Sequence, residues 1–235
     1  MSFLKAQKLI GGHRGSPKKA KENTLLSFET AIDDGVDFIE FDVRKSADDI
    51  LIIHHDEDLA GKVLRNLTYS EINQLAESNG FSVPTLDDVI ALCNGKIMLD
   101  VEIKEPEVTE ETAKILLKSF PVDKFIVTSF YDAVLATLNE SFPSIKKGLL
   151  LGNKSNIEVK KRVVELKPNF LLPHYTIFEK DRNIREICET FNLTTILWTV
   201  NNKLKMEELL KEPLVTAIIS DYPESGVKVK ETLSR

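Results

Sequence analysis

Eight times along the chain, a short run rich in β-branched and aromatic residues is followed by a polar turn and a longer segment with helical spacing. The runs are KLIGGH (8–13), DFIEFDV (37–43), KIMLDVEIK (96–104), FIVTSF (125–130), KKGLLL (146–151), NFLLPH (169–174), TILWTV (195–200) and TAIISDYP (216–223). Strands that alternate with helices imply parallel strands joined by right-handed crossovers. Eight such units in 235 residues match a (β/α)8 TIM barrel, which typically needs about 250. The rival is a doubly wound open sheet with fewer strands. Its usual signatures are missing: no G-x-G-x-x-G follows the first strand, and no GxxxxGK[ST] occurs anywhere.

The clearest helix begins near Leu25, where Leu25, Phe28, Ala31 and Ile32 share one face and Thr24 or Asn23 can cap the start. Others are expected over 85–93, 109–119, 131–141, 156–166, 180–190 and 203–211, and residues 224–235 read as a weak tail. ILIIHHD (50–56) looks like an extra strand directly after the second run. Residues 57–83 then form an excursion in the second βα connection, with a short helix around 69–77. No Pro/Gly/Ser-rich linker or low-complexity tract divides the chain, so residues 1–235 are read as one domain.

Hydrophobic residues make up 42% and charged residues 29%, which excludes disordered and fibrous classes. No apolar run approaches the roughly 20 residues that span a bilayer, and the first residues lack a signal-peptide pattern. A net charge of −6 argues against broad nucleic-acid binding. Cys93 and Cys188 are too few for a disulfide framework and read as reduced thiols. A cytoplasmic location is the expectation.

The chemistry gathers at strand ends. Glu40 and Asp42 are i, i+2 on the second run and project together. Glu102 and Lys104 repeat the device on the third, with Asp100 in phase. Paired carboxylates on a buried strand cost several kcal/mol unless a cation joins them. Carboxylates from neighbouring strands suit Mg2+ or Ca2+ rather than Zn2+. The alternative is a buried ion-pair network in which Lys104 and Arg14 neutralise the acids. His13-Arg14-Gly15 ends the first strand, where His and Arg suit proton transfer and phosphate binding. Gly11, Gly12 and Gly15 would let backbone approach a ligand. His54 and His55 follow ILII, and only one of two strand neighbours can face the same cavity.

Residues 13–59, HRGSPKKAKENTLLSFETAIDDGVDFIEFDVRKSADDILIIHHDEDL, resemble the signature region of the glycerophosphodiester phosphodiesterases, and VPTLDDVI (83–90), DVEIK (100–104), TSF (128–130), WTVN (198–201) and ISDYP (219–223) continue the likeness. The resemblance implies a TIM barrel that hydrolyses glycerophosphodiesters to glycerol phosphate and an alcohol, in glycerol and lipid metabolism. Carried over position by position, it makes Glu40, Asp42 and Glu102 ligands of one divalent cation, Mg2+ or Ca2+ with Mn2+ also possible. It makes His13 and His55 the acid–base pair, Arg14 and Lys104 the phosphate holders, and Trp198 an aromatic lining the pocket. His55 rather than His54 is the match, because it directly precedes Asp-x-x-Leu.

There are departures from the family pattern. Lys21 stands where a proline commonly precedes ENT, in a basic loop 17–21 read as solvated lysines or as a steering device for anionic substrates. Ser46-Ala47-Asp48-Asp49 replaces a Thr-Lys-Asp-Gly turn. The excursion is short where many members carry a longer cap. His174 is read as either pocket lining or surface, and Phe130 and Asn201 as wall or supporting residues. Two further functions fit the sequence less well: a lysophospholipid-cleaving enzyme of the same fold, and a barrel that binds phosphodiesters without cleaving them. The expected partner is a small phosphodiester, and neither headgroup nor oligomeric state is specified.

Overall fold

The computed structural model describes residues 8–152 and 158–234. In chain order the elements are β1 (Leu9–His13), α1 (Leu25–Asp33), β2 (Phe38–Lys45), β3 (Leu51–Ile53), β4 (Asp58–Leu59), β5 (Lys62–Val63), α2 (Tyr69–Ser78), α3 (Leu86–Cys93), β6 (Met98–Ile103), α4 (Thr109–Ser119), β7 (Phe125–Ser129), α5 (Asp132–Ser141), β8 (Lys147–Leu151), α6 (Val159–Leu166), β9 (Phe170–Pro173), α7 (Tyr175–Lys180), α8 (Arg182–Thr190), β10 (Thr194–Leu197), α9 (Lys203–Lys211), β11 (Val215–Ser220) and α10 (Pro223–Leu233). Eight parallel strands run in the order β1-β11-β10-β9-β8-β7-β6-β2, and β1 pairs with β2 to close the ring. This is the (β/α)8 barrel read from the sequence.

Strand alternation divides the core in two. Leu9, Phe38, Met98, Ile126, Phe170 and Ala217 point inward and fill the barrel floor. Their sequence neighbours Ile10, Ile39, Leu99 and Val127 point outward and bury under the helices. Gly11 is needed on the inner side: a Cβ there would lie 2.3 Å from the Phe38 ring. Its role is therefore to admit Phe38 across the β1–β2 seam, not to bring backbone near a ligand.

Beyond Val43, its last partner on β6, strand β2 continues and pairs antiparallel with β3, Lys45 opposite Leu51. This is the expected extra strand. The excursion adds a two-stranded β4–β5 ribbon and α2, packed around Ile52, Leu64, Ile72, Ala76 and Val83. Thr68 and Glu71 form a capping box at the start of α2, as do Thr85 and Asp88 at α3.

Two expectations need correction. The segment 180–190 holds the end of one helix and all of another, because Asp181 leaves helical geometry and its side chain caps Asn183. The supposed tail 224–235 is largely α10. Alternating Val227 and Val229 hid its helical face, and Gly226 reads as a breaker. Yet Gly226 lets the helix approach β1, where a Cβ would meet Ile10 at 2.9 Å. Lys230 then pairs with Asp37 at 2.7 Å, and Asp37 accepts from the Ile10 backbone N–H at 2.7 Å. The tail thus braces the seam where the barrel closes. The helix expected over 156–166 appears as α6, and its first two positions lie outside the described residues.

Replacing Gly11 with Ala should overpack the barrel floor and cost about 1–3 kcal/mol, read as a lower urea midpoint. Adding Phe38→Leu should restore part of the loss. An unchanged midpoint in Gly11→Ala would show that the floor is not close-packed.

Candidate active site

At the C-terminal end of the barrel is a cavity of about 180 Å³ whose lining includes His13, Arg14, Glu40, His55, Glu102, Lys104 and Trp198. Asp42 lies just behind this lining, fully buried. The register makes the cluster: Glu40 stands opposite Asp100 and Asp42 opposite Glu102 on adjoining strands, all in the inward phase. Glu40, Asp42 and Glu102 each bring a carboxylate oxygen within 4.8 Å of the others.

Both arrangements foreseen for these acids bear on the site. Lys104 Nζ sits 3.0 Å from Asp42 Oδ1 and also pairs with Glu102. Arg14 Nε is 3.4 Å from Asp42 Oδ2. An ion-pair network therefore exists, but it is incomplete. Glu40 has no basic side chain within ion-pair distance among the described residues, and accepts only the Arg14 backbone N–H at 3.0 Å. Asp42 Oδ1 is buried and its approach to Lys104 makes no hydrogen bond. Three carboxylates face two cations, leaving one negative charge uncompensated when all are ionised. The set is all oxygen, buried and negatively charged in excess, which fits a hard divalent cation.

The titration behaviour follows from this imbalance. Burial, reinforced by Asp42 and Glu102, raises Glu40 well above the carboxylate range. Burial raises Glu102 to about 7 although Lys104 opposes it. Burial also raises Asp100 to about 8 against the hydrogen bond that Thr128 donates at 2.7 Å, and its other oxygen has no partner. Asp42 goes the other way: burial pushes it up, but Lys104 and Arg14 outweigh burial and hold it below the usual range. Burial works against the charges of Lys104 and Arg14 too, yet the neighbouring acids raise both.

Both cavity histidines are oriented through Nδ1. His13 Nδ1 lies 2.6 Å from Asp221 Oδ1, and His55 Nδ1 lies 2.7 Å from Asp56 Oδ1. This leaves Nε2 of each ring for the cavity. Asp221 is itself clamped: Asn201 Nδ2 donates to its Oδ2 at 2.7 Å, and its backbone N–H donates to Asn201 Oδ1 at 2.9 Å. The His55 carbonyl accepts from Arg44 Nε at 2.9 Å, and the His54 backbone N–H donates to the Asp42 carbonyl at 3.0 Å. Burial lowers His55, with Asp42 opposing. His54 is not part of the lining; its Nδ1 lies 3.0 Å from the Asp56 carbonyl oxygen.

The ENT segment places one partner at each of three points. Glu22 accepts from the Arg14 guanidinium at 3.0 Å, Asn23 donates to Asp42 Oδ2 at 2.7 Å, and Thr24 caps α1. Trp198 is fixed by a 2.7 Å hydrogen bond from Nε1 to the Leu172 carbonyl and meets Phe130 edge-on, centroids 5.6 Å apart. His174 is not in the lining: it packs edge-on against Trp198 and caps α7 through Thr176.

Asp221, Asp56, Glu22 and Asn23 were not foreseen as site residues. For Asp221 a signal was present, since it continues the inward phase of Ala217 and Ile219. For Asp56 the only hint is adjacency to His55. The partners of Glu22 and Asn23 depend on how the loop folds back, which spacing does not encode.

The sequence profile of the glycerophosphoryl diester phosphodiesterase family matches residues 13–225. A glycerophosphodiester phosphodiesterase of Caldanaerobacter subterraneus subsp. tengcongensis is 28% identical, the match covering 94% of this chain and 97% of that relative. A crystal structure of the glycerophosphodiester phosphodiesterase of Thermotoga maritima superposes with a TM-score of 0.81 at 30% identity, over 94% and 98% of the two chains. A phosphodiesterase of Oleispira antarctica, solved with the product sn-glycerol-3-phosphate, superposes at 0.80 with 25% identity over 97% of each.

The raised carboxyls carry a stability signature. Between the ordinary carboxylate range and about 7 to 8, the unfolded chain has released protons that Glu102 and Asp100 still hold in the fold. Stability in chelator should therefore fall as pH rises through that window. Asp100→Asn should flatten the slope of urea midpoint against pH, and an unaltered slope would show that Asp100 does not keep its proton.

Proposed function

The chain belongs to the glycerophosphoryl diester phosphodiesterase family, and from that premise we propose that its cavity cleaves glycerophosphodiesters to glycerol phosphate and an alcohol by histidine acid–base catalysis beside a carboxylate-bound divalent cation. The observation that carries this reading is the placement of two carboxylate-oriented imidazoles and a charge-unbalanced acidic triad on one small cavity.

Glu40, Asp42 and Glu102 would hold the cation. Bound there, it supplies Lewis-acid stabilisation of charge on phosphoryl oxygens. Arg14 and Lys104 orient the phosphodiester and offset the charge that grows during displacement. One imidazole takes a proton from the attacking hydroxyl, and the other gives one to the departing alkoxide. Asp221 and Asp56 fix which nitrogen of each ring faces the phosphorus, and Asn201 keeps Asp221 from rotating. Trp198 and Phe130 form an aromatic wall against which a glycerol moiety packs. An attacking hydroxyl from the substrate's own glycerol and one from water both fit this scheme. A non-catalytic binding barrel would have no use for two oriented imidazoles, so the intact set favours catalysis.

His13→Ala and His55→Ala should each lower turnover about 10²–10⁴-fold, whereas His54→Ala should be mild. Near-normal rates in both of the first two would remove the acid–base assignment, and an equal loss in the third would mean the neighbouring ring was chosen wrongly. Chelation should silence the enzyme and Mg2+, Mn2+ or Ca2+ should restore it; full activity in chelator would rule out the cation. Asp221→Asn should lower kcat at least about tenfold with KM little changed. A change confined to KM would place Asp221 in binding rather than in orienting His13.

A further inference from the structure

Three consecutive barrel strands, β10, β11 and β1, carry an unusual rim. Each βα connection emerges at the end of the barrel that holds the cavity. On this sector the connections expose large apolar side chains beside lysines. Leu204, in the first turn of α9, is 77% exposed; Leu26, in the first turn of α1, is 64% exposed; Tyr222, just before α10, is 45% exposed. Lys18, Lys21 and Lys203 lie among them, exposed, with no carboxylate in ion-pair distance among the described residues. Contacts join the α9, α10 and β1 parts of this sector, and Leu26 and Lys21 continue it toward the excursion, where Lys21 Nζ lies 5.2 Å from the Phe81 ring centroid. Lys18 Nζ lies 5.5 Å from the Tyr222 ring centroid, Lys19 pairs with Glu224 of α10 at 2.6 Å, and α9 packs on α10.

The neighbouring sector, beyond β2, differs in sign. There Asp56, Glu57 and Asp58 follow β3; Asp56 pairs with His55, and among the described residues neither Asp56 nor Glu57 has a lysine within ion-pair distance. The rim thus carries apolar and basic side chains from the β10 sector to the near edge of the excursion, and a run of three acids just past β3. Exposed leucines beside an amphipathic tyrosine and unpaired lysines form the pattern of a surface that lies against a lipid headgroup layer. The unpaired lysines select anionic headgroups. A second protein copy would instead have to bury these unpaired charges.

We propose that this lip docks the protein on anionic phospholipid surfaces, with Leu26, Leu204 and Tyr222 entering the interface and Lys18, Lys21 and Lys203 meeting the headgroup phosphates. The proposal goes beyond the reading of the cavity and stands or falls separately from it. Docked in this way, the mouth of the barrel faces the membrane boundary.

The test is co-sedimentation of the full chain with vesicles of phosphatidylcholine mixed with phosphatidylglycerol, and with vesicles of phosphatidylcholine alone. The protein should pellet with the mixed vesicles and far less with the neutral ones. Leu26→Ser combined with Leu204→Ser should reduce the bound fraction about tenfold or more, and Lys18→Gln and Lys21→Gln about fivefold each. The leucine variant should cleave soluble glycerophosphocholine as the parent does. No pelleting with mixed vesicles, or equal pelleting of parent and variants, would overturn the proposal. So would a dimer in solution that the leucine variant abolishes, because the lip would then be a contact between copies. A chain that binds vesicles but leaves glycerophosphocholine intact would overturn the cavity reading and leave the docking surface standing.

Discussion

Three carboxylates and two cations buried at one barrel mouth do not balance when all are ionised, and the titration of the acids and the surrounding contacts answer that deficit. Burying an unpaired carboxylate is among the costliest acts in a fold. Here the cost is spread over adjoining strands whose register sets Glu40 and Asp42 beside Asp100 and Glu102. Asp42 is held as an anion by Lys104, Arg14 and Asn23, while Glu40 and Glu102 are pushed toward their protonated forms. Such a cluster, when ionised, favours a counterion. A pocket that must receive a phosphodiester, itself an anion, gains from a positive charge at the same place.

The loops serve that cluster from outside. The first βα connection folds back so that Glu22 reaches Arg14 and Asn23 reaches Asp42. The β2–β3 extension hangs the second histidine directly over the strand that supplies two of the acids. Asp221, just past the end of β11, reaches His13 at the end of the neighbouring β1. Ring closure is therefore a condition for the site: His13, Glu40 and Asp221 stand on strands β1 and β2 and just past the end of β11, and meet only because those strands pair.

Much of this was legible because strands write their orientation with period two. The inward phase of β2 and β6 put Glu40, Asp42, Asp100 and Glu102 on one side and allowed only one of the two histidines after β3 to face the cavity, while the family resemblance picked out the three ligands and His55. The eight strands were legible from their β-branched runs, and most helices from caps and spacing. What escaped depended on tertiary contact. α10 was hidden because its glycine, weak in isolation, is needed for close packing on Ile10. The break at Asp181 turns on one side chain preferring a cap to a helix interior. Asp221 was in phase but lies past the strand's end, where phase alone does not say that a partner waits. Gly11 looked like room for a ligand, and the structure fills that room with Phe38.

The central claim concerns a missing positive charge, and calorimetric titration of the metal-free protein with Ca2+, Mg2+ or Mn2+ in buffers of differing ionisation enthalpy tests it most directly. The account predicts saturable binding of a single ion per chain. Near neutral pH that binding should release protons, because carboxyls held protonated in the empty cluster must ionise to act as ligands, and Glu102→Gln should weaken both the binding and the release. Saturable binding that leaves the proton count unchanged, or that survives intact in Glu102→Gln, would place the ion elsewhere and contradict the account.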